Sequence, residues 1–231
     1  MMKKYNKILK ETIVIICARK GSKGIKNKNI IKINRKSLIS ISIEQAKKSK
    51  FINNKNIFVS TDSEKIRDEA IKFGANVPFL RPKYLGFDNT NMSEVLNHFT
   101  KKISKNIKFK YVVMLQPTSP LRTSKHIDEA CDFFLKNLNK AKKLISVSKL
   151  PKYFYPSKIM KEKNNSISQL KGHENYYLKQ SNFFVRNGPA IFIYSKKKLS
   201  PNIYKGKSLK YLMSEKSSLD INEYSDLKAL F

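Results

Sequence analysis

Ile15-Ile-Cys-Ala-Arg-Lys-Gly-Ser-Lys-Gly-Ile-Lys-Asn-Lys-Asn29 opens on an apolar, β-branched run and stops at Ala18. The run turns into a loop holding one arginine, four lysines, two glycines and a serine. Apolar residues bounded by glycine read as a strand of a parallel sheet, buried on both faces. The loop after such a strand lies at the carboxyl edge of the sheet, where open α/β folds bind ligands. Glycine lets the backbone approach a ligand closely, and Arg19, Lys23 and Lys28 supply charge for a polyanion. Taken alone, the loop reads equally well as a basic surface turn.

Working outward, Tyr111-Val-Val-Met-Leu-Gln-Pro-Thr-Ser-Pro-Leu-Arg122 repeats the arrangement, an apolar strand running into a loop shaped by two prolines. Val59-Ser-Thr-Asp-Ser63 and Leu80-Arg-Pro82 lie between the two, and Asn187-Gly188 follows. The ordered series A-R-x-x-S-K-G, K-N, S-T-D, L-R-P, L-Q-P-T-S-P-L-R and N-G, within residues 14–194, resembles the CMP-sialic acid synthetase family. These are the cytidylyltransferases that activate nine-carbon sugar acids, the legionaminic and pseudaminic relatives included. The resemblance implies an α/β, Rossmann-like nucleotidyltransferase fold, a mostly parallel sheet with helices on both faces plus a dimerisation arm. It also implies transfer of CMP from CTP to a nonulosonic acid, release of pyrophosphate, a Mg²⁺ cofactor, a homodimer and a place in cell-surface polysaccharide biosynthesis.

Length and composition agree. The 231 residues suit a single domain spanning 1–231, with the arm expected at 150–185. The net charge of +31 raises the question of nucleic acid, but lysines fall in nearly every loop and helix, the mark of a chain-wide bias. Arginine supplies only six of the 48 basic residues, and Arg19, Arg81, Arg122 and Arg186 fall inside motif segments. There a planar fork for phosphate or carboxylate is wanted. No specific nucleic-acid partner is expected, only weak polyanion binding with Kd on the order of 10⁻⁴–10⁻⁶ M at modest salt. No apolar run approaches the roughly 18–20 residues of a spanning helix, and the basic start, Met1 to Lys10, lacks the apolar stretch of a secretory leader. A cytoplasmic protein with no membrane partner is the expectation, with Cys17 and Cys131 as two buried thiols.

Periodicity predicts strands over 12–18, 56–60, 77–80, 111–115, 144–148 and 189–194. Helices are predicted over 38–49, from 63 to a stop at Gly74, from a capping box at Asn91 and Glu94 to 103, over 124–137, and from about 223. This βα alternation implies a parallel sheet. Residues 150–185 break the rhythm with an aromatic-rich stretch, which reads either as the arm or as a long loop over the chain's own sheet.

Within the resemblance, Arg19, Ser22, Lys23, Lys28 and Asn29 cradle the triphosphate, while Lys20 and Lys26 are solvated. Arg81, Asp88, Thr90 and Asn91 surround cytosine and ribose, although Asp88 reads equally as a turn or cap residue. Gln116 bridges nucleotide and acceptor, with Thr118, Lys158, Arg186 and Asn187 toward the sugar acid. Arg186 stands one position after the family's substrate arginine, where this chain has Val185. Arg19, Lys28 and Gln116 are the expected catalytic residues: cations opposing charge at the α-phosphate and an amide that positions. Arg122 either serves the loop's ligand or braces a neighbouring loop. Ser218-Leu-Asp-Ile-Asn222 lies where family members show S-I-D-I-D, so Asp220 and Asn222 are the expected metal residues. Mg²⁺ accepts one or two carboxylates with phosphate oxygens and water, so one aspartate can suffice. His98, His126 and His173 have no metal-like spacing. The rivals are a CMP-KDO synthetase, whose first loop usually carries Thr-Arg where Lys23-Gly24 stand, and an impaired basic binding protein on the same fold. The latter rests on Asn222 and on the few residues between the last helix start and Phe231.

Overall fold

The computed structural model describes residues 11–151, 154–155, 158–164, 166–169, 183–199 and 201–230. β1 (Thr12–Cys17) is buried at every position, as its unbroken apolar run requires. A two-residue hairpin, β2 (Lys32–Ile33) and β3 (Lys36–Ser37), follows the first loop and feeds α1 (Leu38–Lys48). Then come β4 (Ile57–Ser60), α2 (Glu64–Lys72), α3 (Met92–Ile103), β5 (Tyr111–Leu115), α4 (Ser124–Lys136) and β6 (Lys143–Lys149). The 150–185 excursion holds a separate hairpin, β7 (Met160–Lys163) with β8 (Ser166–Gln169), and β9 (Phe184–Arg186). β10 (Ile191–Ser195), β11 (Leu209–Leu212) and α5 (Tyr224–Lys228) complete the chain.

The sheet runs β11-β6-β10-β5-β1-β4, with β9 also pairing β6. β1 lies parallel to β4 and β5, Ile16 beside Val59 and Ile15 beside Met114. β10 runs against the parallel majority expected of the sheet. It sits antiparallel between β5 and β6, with Ile193 opposite both Val113 and Leu144. The chain leaves β6 at the carboxyl edge, returns along it through antiparallel β9 and enters β10 from the same edge. The start of β10 therefore stands beside the loop after β5.

Alternate strand residues serve two cores. Val14, Ile16, Val113 and Ile193 pack with α1, α2 and α4 on one face. Ile13, Ile15, Met114 and Phe192 meet α3 on the other. A third, small cluster of Ile25, Ile33, Leu38 and Ile221 ties the first loop to the C-terminal segment.

Helix starts differ in detail from expectation. Ser63 opens α2 without a side-chain cap, and its backbone N–H donates to Thr61 Oγ1 at 3.1 Å. Asn91 caps α3 through the N–H of Ser93 at 3.1 Å, two residues on, rather than in the expected exchange with Glu94. The segment 77–80 forms no strand: Pro78 lacks a ladder N–H, and only Asn76 bridges Phe58. Cys17 and Cys131 are free, buried thiols. Among the described residues, no helix is long and apolar enough to cross a membrane. Phe154, Ile159, Met160 and Ile167 of the excursion are exposed, whereas Tyr155 packs on Phe183 at 5.6 Å between ring centroids. Tyr153, Tyr176, Tyr177 and His173 lie outside the described residues.

Candidate active site

A cleft of about 240 Å³ opens at the carboxyl ends of β1 and β5. It gathers Arg19, Ser22, Lys28, Asn29, Arg81, Gln116, Thr118, Asp220 and Asn222, residues up to 203 positions apart in sequence. Three anchors set the first loop. The Asn29 amide donates to the Arg19 carbonyl at 2.9 Å, the Lys20 N–H donates to Asp62 Oδ1 at 2.8 Å, and the Ala18 N–H donates to the Ser60 carbonyl at 3.0 Å. The loop crosses beneath the 220–222 segment at Gly24, where a Cβ would come within 2.1 Å of the Asn222 carbonyl oxygen. Only glycine permits that approach.

The 220–222 segment is held from three sides. The Ile221 N–H donates to the Thr118 carbonyl at 2.8 Å. Lys28 Nζ donates to the Ile221 carbonyl at 2.7 Å and to Asn222 Oδ1 at 3.1 Å. Asp226 Oδ2 accepts the N–H groups of Asn222 and Glu223 at 2.7 and 2.8 Å. Burial pushes the Lys28 pKa down, Asp220 and Asp226 oppose that shift, and Arg19 adds to it.

Gln116 leaves β5 with its side chain fixed by two neighbours. Oε1 accepts from Thr118 Oγ1, and Nε2 donates to the Gly188 carbonyl, both at 3.3 Å. Gly188 has φ +110°, and a Cβ there would lie 2.9 Å from Gln116 Oε1, which explains the glycine of the Asn187-Gly188 pair. Arg81 borders the cleft but is buried, donating to the carbonyls of Ser60 and Leu85 at 3.0 and 3.2 Å. Its burial lowers its pKa, with Cys17 and Asp62 opposing.

Other expected site residues stand at the rim or elsewhere. Asp88 forms ion pairs with Arg19 and, at 3.3 Å, with the exposed Lys23. Desolvation pushes the Asp88 pKa up, but Arg19 and Lys23 together hold it below the usual carboxylate range. Thr90 donates to the Tyr84 carbonyl at 2.9 Å, and the Asn91 amide donates to the Pro201 carbonyl at 3.0 Å, so both brace loops outside the cleft lining. Asn187 is a buried fastener: its Oδ1 accepts from Ser146 Oγ at 2.7 Å and its Nδ2 donates to Ser218 Oγ at 3.0 Å. Arg186 lays its guanidinium over the Tyr204 ring, 3.7 Å from the centroid. Lys158 is exposed on the excursion. Two residues matter more than the sequence indicated. The carboxylates of Asp62 and Asp226, neither among the expected site residues, hold backbone N–H groups of the two segments that frame the cleft.

Among the described residues, no group of three or more His, Cys, Asp or Glu side chains gathers as a metal cage. Asp220 Oδ1 is nevertheless buried without a hydrogen-bond partner, while Oδ2 accepts from Asn222 Nδ2 at 3.1 Å. An orphaned carboxylate oxygen beside a cationic cleft fits a hard dication that takes most of its ligands from phosphate and water. Asn222 Oδ1 faces Lys28 instead.

A cytidylyltransferase family model matches residues 13–224. The N-acylneuraminate cytidylyltransferase of Escherichia coli O18:K1:H7 is 34% identical over 221 residues, 94% of this chain and 50% of that protein. The CMP-N,N'-diacetyllegionaminic acid synthase of Campylobacter jejuni is 41% identical over 112 residues, 48% of this chain and 47% of that protein. The chain spans about half the length of the curated relatives it matches. Among solved structures, CMP:2-keto-3-deoxy-manno-octonic acid synthetase complexed with CTP has a TM-score of 0.69 at 13% identity. That alignment covers 95% of this chain and 96% of the other, and it is a likeness of the nucleotidyltransferase fold alone. With the ordered motifs converging on one cleft and the family's pattern running from the first buried strand to the last helix, the chain belongs to the cytidylyltransferase family.

Proposed function

We propose that the protein transfers CMP from CTP to a nonulosonic acid of sialic, legionaminic or pseudaminic type, with release of pyrophosphate. The observation that carries this reading is the convergence of the basic first loop, Gln116 and Asp220 on one cleft. The acceptor hydroxyl attacks the α-phosphorus, and the bond to the β-phosphate oxygen breaks. Arg19 and Lys28 oppose the charge that develops there, in a partly buried site where such donors act strongly. Gln116, held by Thr118 and Gly188, orients nucleotide and acceptor, and positioning of this kind lowers the entropic part of the barrier.

Mg²⁺ fits the site through Asp220 and, when bound, supplies Lewis-acid neutralisation of the triphosphate oxygens. The exposed apolar side chains of the excursion support a homodimer built on residues 150–185. Free, buried Cys17 and Cys131 suit a cytoplasmic enzyme of sugar-nucleotide synthesis for surface polysaccharide. Lys23-Gly24 speak against the eight-carbon acid KDO as acceptor.

The test is pyrophosphate release from CTP, with and without Mg²⁺, across a panel of 2-keto-3-deoxy sugar acids. Release is expected only with CTP, Mg²⁺ and a nine-carbon acid together. Equal release from ATP, or none with any nine-carbon acid, would sink the reading.

A further inference from the structure

Arg19 and Lys23, two cations of the first loop, meet one carboxylate, that of Asp88. The other cleft cations are met by neutral oxygens: Lys28 by the Ile221 carbonyl and the Asn222 amide, Arg81 by the Ser60 and Leu85 carbonyls. A carboxylate offers an arginine fork two oxygens sharing a negative charge, which is also what the edge of a phosphate group offers.

The segment carrying Asp88 is built to present it. The Thr90 N–H returns to the Phe87 carbonyl at 3.2 Å and the Thr90 hydroxyl to the Tyr84 carbonyl at 2.9 Å, closing a self-braced turn. Phe87, Asp88 and Asn89 are all exposed on it. At the root of the turn, Gly86 abuts Asp62 so tightly that a Cβ would lie 2.5 Å from its carboxylate, and Asp62 also holds the Lys20 N–H. Two aspartates therefore join the first loop to the 83–90 segment. Asp62 does so through backbone and at close quarters, fixing the spacing. Asp88 does so only through side chains in contact with water, an exchangeable link.

We propose that Asp88 is an internal stand-in for phosphate. Its carboxylate occupies the Arg19–Lys23 fork in the nucleotide-free protein, keeps both cations at the cleft mouth, and gives them up to the triphosphate of the incoming nucleotide. Asp88 is on this view a positioning residue whose competition lowers nucleotide affinity, because a ligand needing the open fork binds in proportion to the fraction open. The identity of the nucleotide as CTP rests on the cytidylyltransferase reading; the stand-in role rests on the ion pairs.

The experiment is calorimetric titration of the full chain, Asp88→Asn and Asp88→Glu with CTP and, separately, with inorganic tripolyphosphate. Asp88 adds no core packing, so both variants should fold. Exposed ion pairs are weak, so Asp88→Asn is expected to tighten tripolyphosphate and CTP by about two- to fivefold, while Asp88→Glu keeps the natural affinity. Unchanged or weakened tripolyphosphate binding in Asp88→Asn overturns the proposal, as does tightening in Asp88→Glu or failure of the natural chain to bind tripolyphosphate. If tripolyphosphate tightens as expected but CTP does not bind, the stand-in survives and the cytidylyltransferase reading falls.

Discussion

The loops after β1 and after β5 leave neighbouring parallel strands at the same edge of the sheet, and each carries an arginine inside a motif. Arg19 keeps a third of its side chain exposed (34%) and faces the cleft mouth. Arg122 is 1% exposed and turns back into the protein, donating to the carbonyls of Gln116 and Ala190 at 2.8 and 3.1 Å and to Ser42 Oγ at 2.8 Å. Burial pushes its pKa down to about 9, still above neutral pH, so it braces β5, β10 and α1 as a charge. The difference teaches that an arginine at a ligand-binding edge is committed by the acceptors its own chain places within reach. The first loop passes tightly beneath 220–222 at Gly24 but leaves Arg19 at the open cleft, its fork met by an exchangeable carboxylate. The second folds onto a helix and a strand whose oxygens take both terminal nitrogens of the fork, with only Nε left unpaired.

Arg122→Ala should break the brace. Two carbonyls and a hydroxyl would lose a donor and a large buried volume would empty, for a loss of about 3–5 kcal/mol. Chemical denaturation reads this directly, and a loss below about 1 kcal/mol would show that the buried fork contributes little. Arg19→Ala should do the reverse. Turnover is expected to fall by about 10²–10³, with stability within about 0.5 kcal/mol of the natural chain. Near-normal turnover would reduce Arg19 to a surface cation and erase the contrast between the loops.

The 220–222 segment lies across both loops, so its variants sharpen the comparison. Asp220→Asn should abolish most Mg²⁺-dependent activity, whereas Asn222→Asp should lower the Mg²⁺ concentration needed, since a second carboxylate attracts a hard dication that an amide only weakly holds. Initial rates against Mg²⁺ separate the two, and an unaltered Mg²⁺ curve in Asp220→Asn would place the ion elsewhere. The smallest effect belongs to Cys17, at the root of the first loop. Burial pushes its pKa up to about 11, with Arg81 opposing, so the thiol stays protonated. Iodoacetamide at pH 8 should leave it unmodified in the folded protein and label it after denaturation. Rapid labelling of the folded chain would mean that the loop opens to its root.

Much of the site was legible because its signals are local. Arg19, Ser22, Lys28 and Asn29 follow one buried strand, Gln116 and Thr118 follow another, and all six line the cleft. Asp220 stood out as a lone carboxylate in a recognisable frame. Thr90, Asn91 and Asn187 carry the same motif signature but are engaged with loop carbonyls and buried hydroxyls. Nothing local separates such a fastener from a ligand contact.

By itself the sequence determined the five strands β1, β4, β5, β6 and β10, the two apolar faces, the glycine-relieved first loop and membership of the cytidylyltransferase family, since periodicity and turn chemistry act over a few residues. The tertiary structure alone decided that β10 runs antiparallel, that Arg122 is a brace, that Asp88 fills the Arg19–Lys23 fork and that Lys28 clasps Asn222 across 194 positions. Each of these depends on which donor and acceptor meet after the chain has packed, and burial makes that pairing obligatory only once water has been excluded.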